Sequence, residues 1–556
     1  MSENIKIKPD KRNLLEYIED FQLGKIQVPA FQRDFVWDNN KKLELFDSIQ
    51  KGYPIGSILL WRPDFKSDED FYKFESKEIG FYKIPERATN DYFYILDGYQ
   101  RLSLLFGCLV NPEKTKLQRD DINWFKEFNI VYNLQGDGAF EMNKKKDFSH
   151  LEYYQIPIYK LIDAKEFFSF QKQLSLFDFD ESVNNDLLEK YENISQIFQK
   201  YELPSINIFG GSITEAIDIF QRLNTAGVKM SSDWAISALS FNKDENFRLA
   251  SEIDNLLEDL EIYNFKNQKR EVILQCITNS FGGVYFDQFS KNDNKKIEVL
   301  ARRSDFIEIT RKTVKSIIIA VKFLYEDLLV LDSKLLPYNS QLIFITDFFN
   351  KIENPTDSQL RILKEWFWIT TYSNYFTIYN LTKQRLAYNK FQDFIEGKSD
   401  SPIYYDSLGE KFDTLEFPDK VTMGSVRAKA LASFMLNYSL RESNILDGLS
   451  INAENIEGYR TFKLFSDIEN SNVSENTILV VEKFNSLDNI PRQTKNLSHW
   501  LNLEYKGQFQ EYFINDEMRK EYKKGNIEKV LQIRKGLIIE SEKFFVEGIG
   551  LVYNTQ

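Results

Sequence analysis

An acidic residue, a glycine and an arginine follow one another closely where an apolar segment of this sequence ends. Residues 92–96 predict a strand, and Asp97-Gly98 predicts a turn into a helix that begins near Tyr99. The N–H groups at the start of such a helix favour an anion, and Arg101 in its first turn can hold a phosphate with two hydrogen bonds. Asp97 can hold Mg²⁺ or orient a water. An ordinary turn, with Asp97 as a helix cap and Arg101 in a salt bridge, explains the same residues.

A second Gln-Arg pair lies upstream of this turn, which itself contains Gln100-Arg101. Gln32-Arg33 follows Pro29 in an aromatic-rich stretch that ends at Trp37. Two guanidinium groups near one helix N-terminus would form a site for a triphosphate or a nucleic-acid backbone. The alternative is that the proline and tryptophan only pack, while Gln32 and Arg33 are surface residues.

The elements that must position these pairs can be predicted from capping residues and apolar periodicity. Asp38 or Asn39 caps a helix that ends before Gly52, and residues 55–61 predict a strand. A third motif occurs at 220–227, in the order Phe-Gln-Arg-Leu-Asn-Thr-Ala-Gly. Its Arg222 and Asn224 are candidate ligand contacts, although Asn224 equally suits a turn that leads into the glycine.

The composition indicates a folded chain of several domains. The 556 residues carry a net charge of −13, which argues against a uniformly basic surface but allows a local basic groove. Two cysteines exclude a disulfide framework, and the polar N-terminus lacks the apolar core of a signal peptide, so we expect a cytoplasmic protein. The most apolar stretch, 314–330, contains charged residues and predicts a buried amphipathic helix rather than a membrane span.

Three regions follow from the patterns along the chain. Residues 1–245 mix strands and helices, with a polar insertion near 110–200. Residues 246–400 predict long helices, and residues 401–556 return to mixed and helical structure after a loop-like opening. The fold class expected from this organisation is α+β.

The three motifs together, in this order, resemble the N-terminal domain of the GmrSD type IV restriction enzymes over roughly residues 24–239. The resemblance implies a ParB/sulfiredoxin-like domain that binds and hydrolyses an NTP with Mg²⁺, coupled to restriction of foreign or modified DNA. Tyr99 stands where the family usually has Gln, which leaves the rate of hydrolysis open. The implied nucleotide-binding residues are Gln32, Arg33, Asp97, Gly98, Gln100, Arg101, Arg222 and Asn224, with Asp97 and Arg101 as catalytic residues and Asp97 as the metal ligand.

Relatives of this domain often carry an HNH nuclease domain, fused or as a partner subunit. The two histidines here, His150 and His499, lack the sequence context of that nuclease. Residues 401–556 resemble a degenerate copy, with 459–463 in place of the histidine-containing strand and residues from Asn476 to Asn485 where a helix would supply asparagine ligands. We therefore expect HNH cleavage to belong to a partner.

Two other functions fit the same residues. The chain can be a non-enzymatic subunit that uses this fold to recognise DNA or protein, or an autonomous DNA endonuclease of another type. The absence of a Walker-type glycine loop excludes a P-loop motor. The sequence leaves open the preferred nucleotide, the DNA modification and the oligomeric state.

Overall fold

The structure is a computed structural model of the 556-residue chain. It describes residues 5–29, 32, 35–63, 78–85, 92–145, 147–177, 179–211, 215–216, 219, 245, 247–282, 300–301, 303–406, 411–442, 452–466, 468–469, 471–483, 490–491, 493–502 and 509–554. The predicted site residues Arg33, Arg222 and Asn224 lie outside these residues.

The chain divides into two compact units. The first contains residues 1–251 and 297–302, and the second contains residues 252–296 and 303–556. The domain boundaries predicted near 245 and 400 stay predictions, because compactness alone does not decide how many domains a unit holds.

The first unit is built from short strands and helices of moderate length. Its described elements are, in chain order, β1 (Lys6–Asn13), α1 (Leu14–Gln22), β2 (Ile26–Gln27), α2 (Asn39–Gln50), β3 (Ile58–Arg62), β4 (Glu78–Ile79), β5 (Tyr82–Lys83), β6 (Phe93–Asp97), α3 (Tyr99–Leu109), α4 (Asp121–Phe128), β7 (Ile130–Asn133), β8 (Ala139–Met142), β9 (Gln155–Pro157), α5 (Ile158–Leu161), α6 (Ala164–Leu174), α7 (Glu181–Lys200) and β10 (Glu202–Phe209).

A mixed five-stranded sheet forms the centre of this unit, in the order β1-β10-β3-β6-β2. β10 runs antiparallel to β1 and parallel to β3, whereas β6 runs antiparallel to β3 and parallel to β2. The central strand β3 contains Ile58, Leu59, Leu60 and Trp61, which are all buried. A run of apolar residues without alternation is typical of a strand covered on both faces. Together with the surrounding helices, this sheet confirms the predicted α+β fold.

The helix before the central strand follows the predicted capping pattern. Asp38 is the N-cap of α2, and its carboxylate accepts a hydrogen bond from the Lys41 N–H. Leu45, Phe46 and Ile49 are buried on one face of this helix. Gly52 follows its end with φ of +67°, a conformation that glycine adopts without steric cost.

The segment predicted as a polar insertion, 110–200, has a substantial apolar core. It contains α4 to α7 and a second sheet of order β8-β7-β9. Trp124, Ile156 and Tyr191 of this segment share one buried cluster with Phe46 and Leu102 of the remaining unit. Buried apolar residues of this segment therefore lie among many exposed charges, and its assignment as an insertion stays a prediction.

The second unit is mainly helical. Its described elements begin with α8 (Leu249–Asp259), which contains the boundary between the units, and continue with α9 (Arg270–Asn279), α10 (Phe306–Leu328), α11 (Asn339–Lys351), α12 (Asp357–Tyr372), α13 (Tyr375–Ile378), α14 (Leu381–Ile395), α15 (Val426–Glu442), β11 (Ile456–Lys463), β12 (Thr477–Lys483), α16 (Asp516–Lys523) and α17 (Ile527–Gly548).

The apolar stretch near 314–330 forms most of α10, as predicted. Ile317, Val321 and Leu324 are buried along one side, while Lys315 and Lys322 are exposed. None of the described helices combines the length and the apolar composition that a membrane span requires.

A buried ion pair joins α15 to α17 in this unit. The Arg427 guanidinium donates two parallel hydrogen bonds, of 2.7 and 2.6 Å, to the two carboxylate oxygens of Glu542. The hydroxyls of Tyr372 and Tyr553 also donate to Glu542, at 2.9 and 2.7 Å. Because Glu542 is fully buried, each of these donors compensates for the loss of water around the carboxylate.

We expect Glu542→Gln to destabilise the protein by about 3–5 kcal/mol, because the Arg427 charge then stays buried without a counter-ion. Glu540→Gln is the matched control, since Glu540 lies on the same helix and is exposed. Thermal and urea unfolding, followed by circular dichroism, measure both variants. Equal unfolding midpoints for the two variants would contradict this role of the ion pair.

Candidate active site at the end of strand β6

The predicted strand–turn–helix is present at Asp97-Gly98. β6 ends at Asp97, and Gly98 stands as the N-cap of α3 with φ of 92°. A Cβ atom on Gly98 would lie 2.6 Å from Cγ2 of Ile58 on β3. Both the left-handed backbone and this close approach therefore require glycine. As N-cap, the glycine supplies no side chain to accept hydrogen bonds from the first turn of the helix.

The Arg101 guanidinium is bound to the protein itself. It donates hydrogen bonds to the Ile55 carbonyl at 2.7 Å and to the Ser57 carbonyl at 2.8 Å. It also donates to Oδ2 of Asp97 at 3.0 Å. Gly56 lies against the same group, because a Cβ there would be 2.5 Å from Nη1 of Arg101. Arg101 thus fixes the loop before β3 to the start of α3, and its predicted phosphate contact stays a prediction.

Asp97 is the more accessible member of this pair. Its side chain is 41% exposed, against 17% for Arg101. Oδ2 accepts the bond from Arg101, and within the described part of the chain no hydrogen bond to Oδ1 is found. The described residues contain no group of three or more His, Cys, Asp or Glu side chains that could hold a metal ion. A cation at this turn would therefore rely on Asp97 and on ligands that the substrate supplies.

Two glutamine side chains bring the first motif to this turn. Gln32 is buried, and its Nε2 donates to the carbonyls of Ile95 and Leu96, both at 3.0 Å. Oε1 of Gln100 accepts a bond from the Val36 N–H at 3.0 Å. The pairing of β2 with β6 ends at Tyr94, so Gln32 continues hydrogen bonding to β6 beyond that point. The structure therefore brings Gln32, Asp97, Gly98, Gln100 and Arg101 together.

A buried lysine contacts Phe35 of the first motif, and the sequence patterns had not identified it. Lys42 of α2 is 1% exposed, and its Nζ lies 2.5 Å from a carboxylate oxygen of Glu127. The ammonium also lies 5.5 Å from the centre of the Phe35 ring, within the range of a cation–π contact. Lys42 stands three and four residues before the buried Leu45 and Phe46. A lysine at an apolar position of a helix face was the pattern that could have identified it.

The C-terminal residues resembling a nuclease are placed differently from the prediction. Residues 459–463 do lie in a strand, β11, which pairs antiparallel with β12. Asn476 ends the short 3₁₀ helix Ser474–Asn476, and residues 477–483 form strand β12 where the resemblance implied a helix. The buried amide of Asn476 donates to the carbonyls of Phe465 and Ser471 and accepts from the Phe465 N–H. This asparagine closes the loop of the hairpin, and Asn485 lies outside the described residues.

The histidines occupy unlike surroundings. The His150 side chain is 79% exposed, and its Nδ1 faces both the Ser149 hydroxyl at 2.7 Å and an Asp147 oxygen at 3.2 Å. A Ser-His-Asp relay needs the serine and the aspartate on opposite ring nitrogens, so this cluster is a local turn. His499 lies in a short 3₁₀ helix, where its ring packs near Trp500.

We expect Gly98→Ala to destabilise the protein more than Gly52→Ala. Both glycines have positive φ, but a Cβ on Gly52 meets nothing within 4 Å. Gly52→Ala should cost only the backbone strain, about 1–2 kcal/mol. Gly98→Ala adds the overlap with Ile58, roughly 1–3 kcal/mol more. Urea unfolding measures both, and an equal loss for the two variants would argue against close packing at this turn.

Comparison with known proteins gives a relative and a matching family. The chain is 22% identical over 445 residues to an uncharacterised protein of the archaeon Methanocaldococcus jannaschii, which covers 73% of this chain and 71% of the relative. Residues 14–241 match the family described as GmrSD restriction endonuclease, N-terminal domain. This family indicates a restriction or anti-phage system that acts on DNA. Over residues 14–241, the chain is therefore similar to the N-terminal domain of the GmrSD restriction endonuclease family.

Proposed function

We propose that this chain binds a nucleoside triphosphate with Mg²⁺ at the Asp97–Arg101 turn and hydrolyses it, as a component of a system that restricts foreign or modified DNA. The observation that carries the proposal is the Asp97 carboxylate. It is part-exposed at the end of β6, one oxygen is held by Arg101, and Oδ1 has no hydrogen bond to the described residues. A carboxylate in this state is suited to a cation that arrives with a phosphate ligand.

The residues at the turn fit such a group. Mg²⁺ in phosphate-transfer sites is commonly held by one or two carboxylates, by water and by the substrate phosphates, so one aspartate is sufficient. The start of α3 has the positive end of the helix dipole, and Gly98 places no side chain in front of it. Bound Mg²⁺ would neutralise phosphate charge, and Asp97 is the residue that would hold it.

The other predicted residues divide between positioning and direct contact. Arg101 already donates three hydrogen bonds within the protein, which supports a role in positioning Asp97 and the loop around Gly56. Gln32 and Gln100 hold the first motif against the turn. Direct contacts to the triphosphate are assigned in this proposal to Arg33, Arg222 and Asn224, which lie outside the described residues.

We expect Asp97→Asn to lower the affinity for Mg²⁺–NTP by about tenfold or more and to abolish hydrolysis, because it removes the charge that holds the cation. Asp47→Asn is the matched control. Like Asp97, Asp47 is exposed and pairs with a cation four residues later, Lys51. Calorimetric titration with each of the four NTPs, followed by phosphate-release assays, measures both variants.

Arg101→Lys separates positioning from direct contact. A lysine keeps the positive charge but cannot reach three acceptors in the same geometry. We expect weaker nucleotide binding together with a lower Tm, whereas a pure phosphate contact would leave the Tm unchanged. No binding of any NTP to the folded wild-type protein would contradict the proposed function and favour a non-enzymatic recognition subunit.

We further propose that DNA cleavage by HNH chemistry belongs to a partner nuclease. The double variant His150→Ala, His499→Ala should retain the wild-type Tm and any DNA cleavage that the purified chain shows, because neither side chain is expected to act as a general base. Cleavage assays on unmodified plasmid DNA and on plasmid DNA with modified bases, with Mg²⁺ present, measure this. A Mg²⁺-dependent cut that His499→Ala alone removes would show that the chain contains the nuclease.

A further inference from the structure

The first unit contains an aromatic cleft that the proposed nucleotide site does not use. The cleft has a volume of about 630 Å³ and lies among residues of α4, α5, α6 and the loop that precedes β9. This volume falls within the range of small-molecule sites. Its lining is nearly balanced between polar and apolar groups and includes the rings of Trp124, Phe125, Phe148, Tyr159 and Phe170.

The rings form a connected aromatic wall with Phe148 near its centre. The Phe148 ring lies 5.3 Å from Phe125, 5.9 Å from Tyr159 and 6.2 Å from Trp124, each in edge-to-face geometry. Phe125 and Phe148 are only partly buried, so part of each ring is accessible from the cleft. Accessible aromatic surface of this kind stacks on flat heterocycles.

A hydroxyl without a partner lies in the same wall. Tyr159 is 4% exposed, and no hydrogen bond of its hydroxyl is found among the described residues. Burial, together with the nearby carboxylates of Glu113 and Glu166, raises the pKa of Tyr159 to about 12. The phenol therefore keeps its proton near neutral pH and presents an unused donor to a cleft ligand.

The charges around the cleft select against phosphate. Asp147 and Glu152, both exposed, line it together with Glu113. The two lining cations are engaged by carboxylates, Arg119 with Asp121 and Lys160 with Glu166 at 3.4 Å. Carboxylates repel phosphate oxygens and accept hydrogen bonds from ring N–H and amino groups. The lining therefore suits a neutral ligand that has both donors and acceptors on its edge.

We propose that this cleft binds a nucleobase, stacked on the aromatic wall and hydrogen-bonded to the Tyr159 hydroxyl, with the phosphates outside. The inference deepens the proposed function, on which it rests, by assigning a second site for the nucleic-acid substrate. An extrahelical base in DNA and the base of a free nucleoside share this chemistry. A base that is swung out of the duplex typically enters a pocket with aromatic walls and polar groups at its edge.

The test uses the full chain and two variants of the cleft. Free deoxynucleosides, a duplex with one bulged base and a fully paired duplex of equal length are titrated, with binding measured by calorimetry and by tryptophan fluorescence. We expect Tyr159→Phe, which removes only the unpartnered hydroxyl, to weaken base binding by about three- to tenfold. Phe148→Leu should weaken it by roughly tenfold through lost stacking. Tyr154→Phe is the matched control, because Tyr154 is a neighbour in sequence that does not line the cleft.

The two sources of a base give different results, and both support the site. DNA is identified as the source if the chain prefers the bulged duplex to the paired duplex and if Tyr159→Phe and Phe148→Leu reduce this preference. Nucleoside binding with the same dependence, but no preference for the bulged duplex, identifies a free nucleoside or nucleotide.

Four outcomes would overturn the site. In the first, the chain binds no nucleoside and binds the bulged duplex no more tightly than the paired duplex. In the second, neither variant changes the binding although both keep the wild-type Tm. In the third, free monosaccharides bind in place of nucleosides, and in the fourth, Asp97→Asn removes nucleoside binding. The last outcome would place the base at the turn. Failure of NTP hydrolysis leaves the nucleoside titrations unaffected, so the two proposals fail separately.

Discussion

The Arg101 guanidinium is the contact on which the candidate active site depends. It binds two backbone carbonyls of the loop before β3 and the Asp97 carboxylate at the end of β6. A largely buried guanidinium is unfavourable unless its N–H groups find acceptors. The same bonds thus stabilise the arginine, close the loop at Gly56 and leave one Asp97 oxygen accessible. The glycines at 56 and 98 are required because any side chain there would occupy the space of this group or of Ile58.

A second set of polar contacts, some of them buried, joins the first motif to the same turn. Gln32 binds carbonyls at the end of β6, Gln100 binds the Val36 N–H, and Lys42 supports the Phe35 ring while it pairs with Glu127. Buried polar groups of this kind are costly unless satisfied. The polar residues around this turn are therefore explained in part by folding, and their presence alone does not identify a nucleotide contact.

The Asp97–Arg101 turn and the aromatic cleft are chemically distinct parts of the first unit. The turn combines an accessible carboxylate with a helix N-terminus, which suits a cation and phosphate groups. The cleft combines aromatic surface, a protonated phenol and carboxylates, which suits an uncharged heterocycle. Under the two proposals, one unit would hold a triphosphate and a base at separate places.

The local elements and the resemblance to a family over residues 14–241 follow from the sequence alone. The strand that leads into Asp97, the turn at Gly98 and a helix cap at Asp38 or Asn39 follow from apolar periodicity and from side chains that act within a few residues. The tertiary structure alone decided what the polar side chains bind. Arg101 reaches a carbonyl 46 residues away, and Lys42 reaches a carboxylate 85 residues away. Such acceptors depend on which strands and helices become neighbours in the folded chain, which local patterns do not encode.

The same reason explains the features that were predicted wrongly or missed. The segment 110–200 has an unremarkable polar composition, and its aromatic cleft exists only because α4, α5 and α6 bring distant rings together. The helix expected from Asn476 to Asn485 was implied only by the resemblance to a nuclease domain, whereas the place of Asn476 is set by the carbonyls to which it donates across the β11–β12 loop. Packing selects one partner among many that the sequence permits, because only in the folded chain must every buried polar group find a partner.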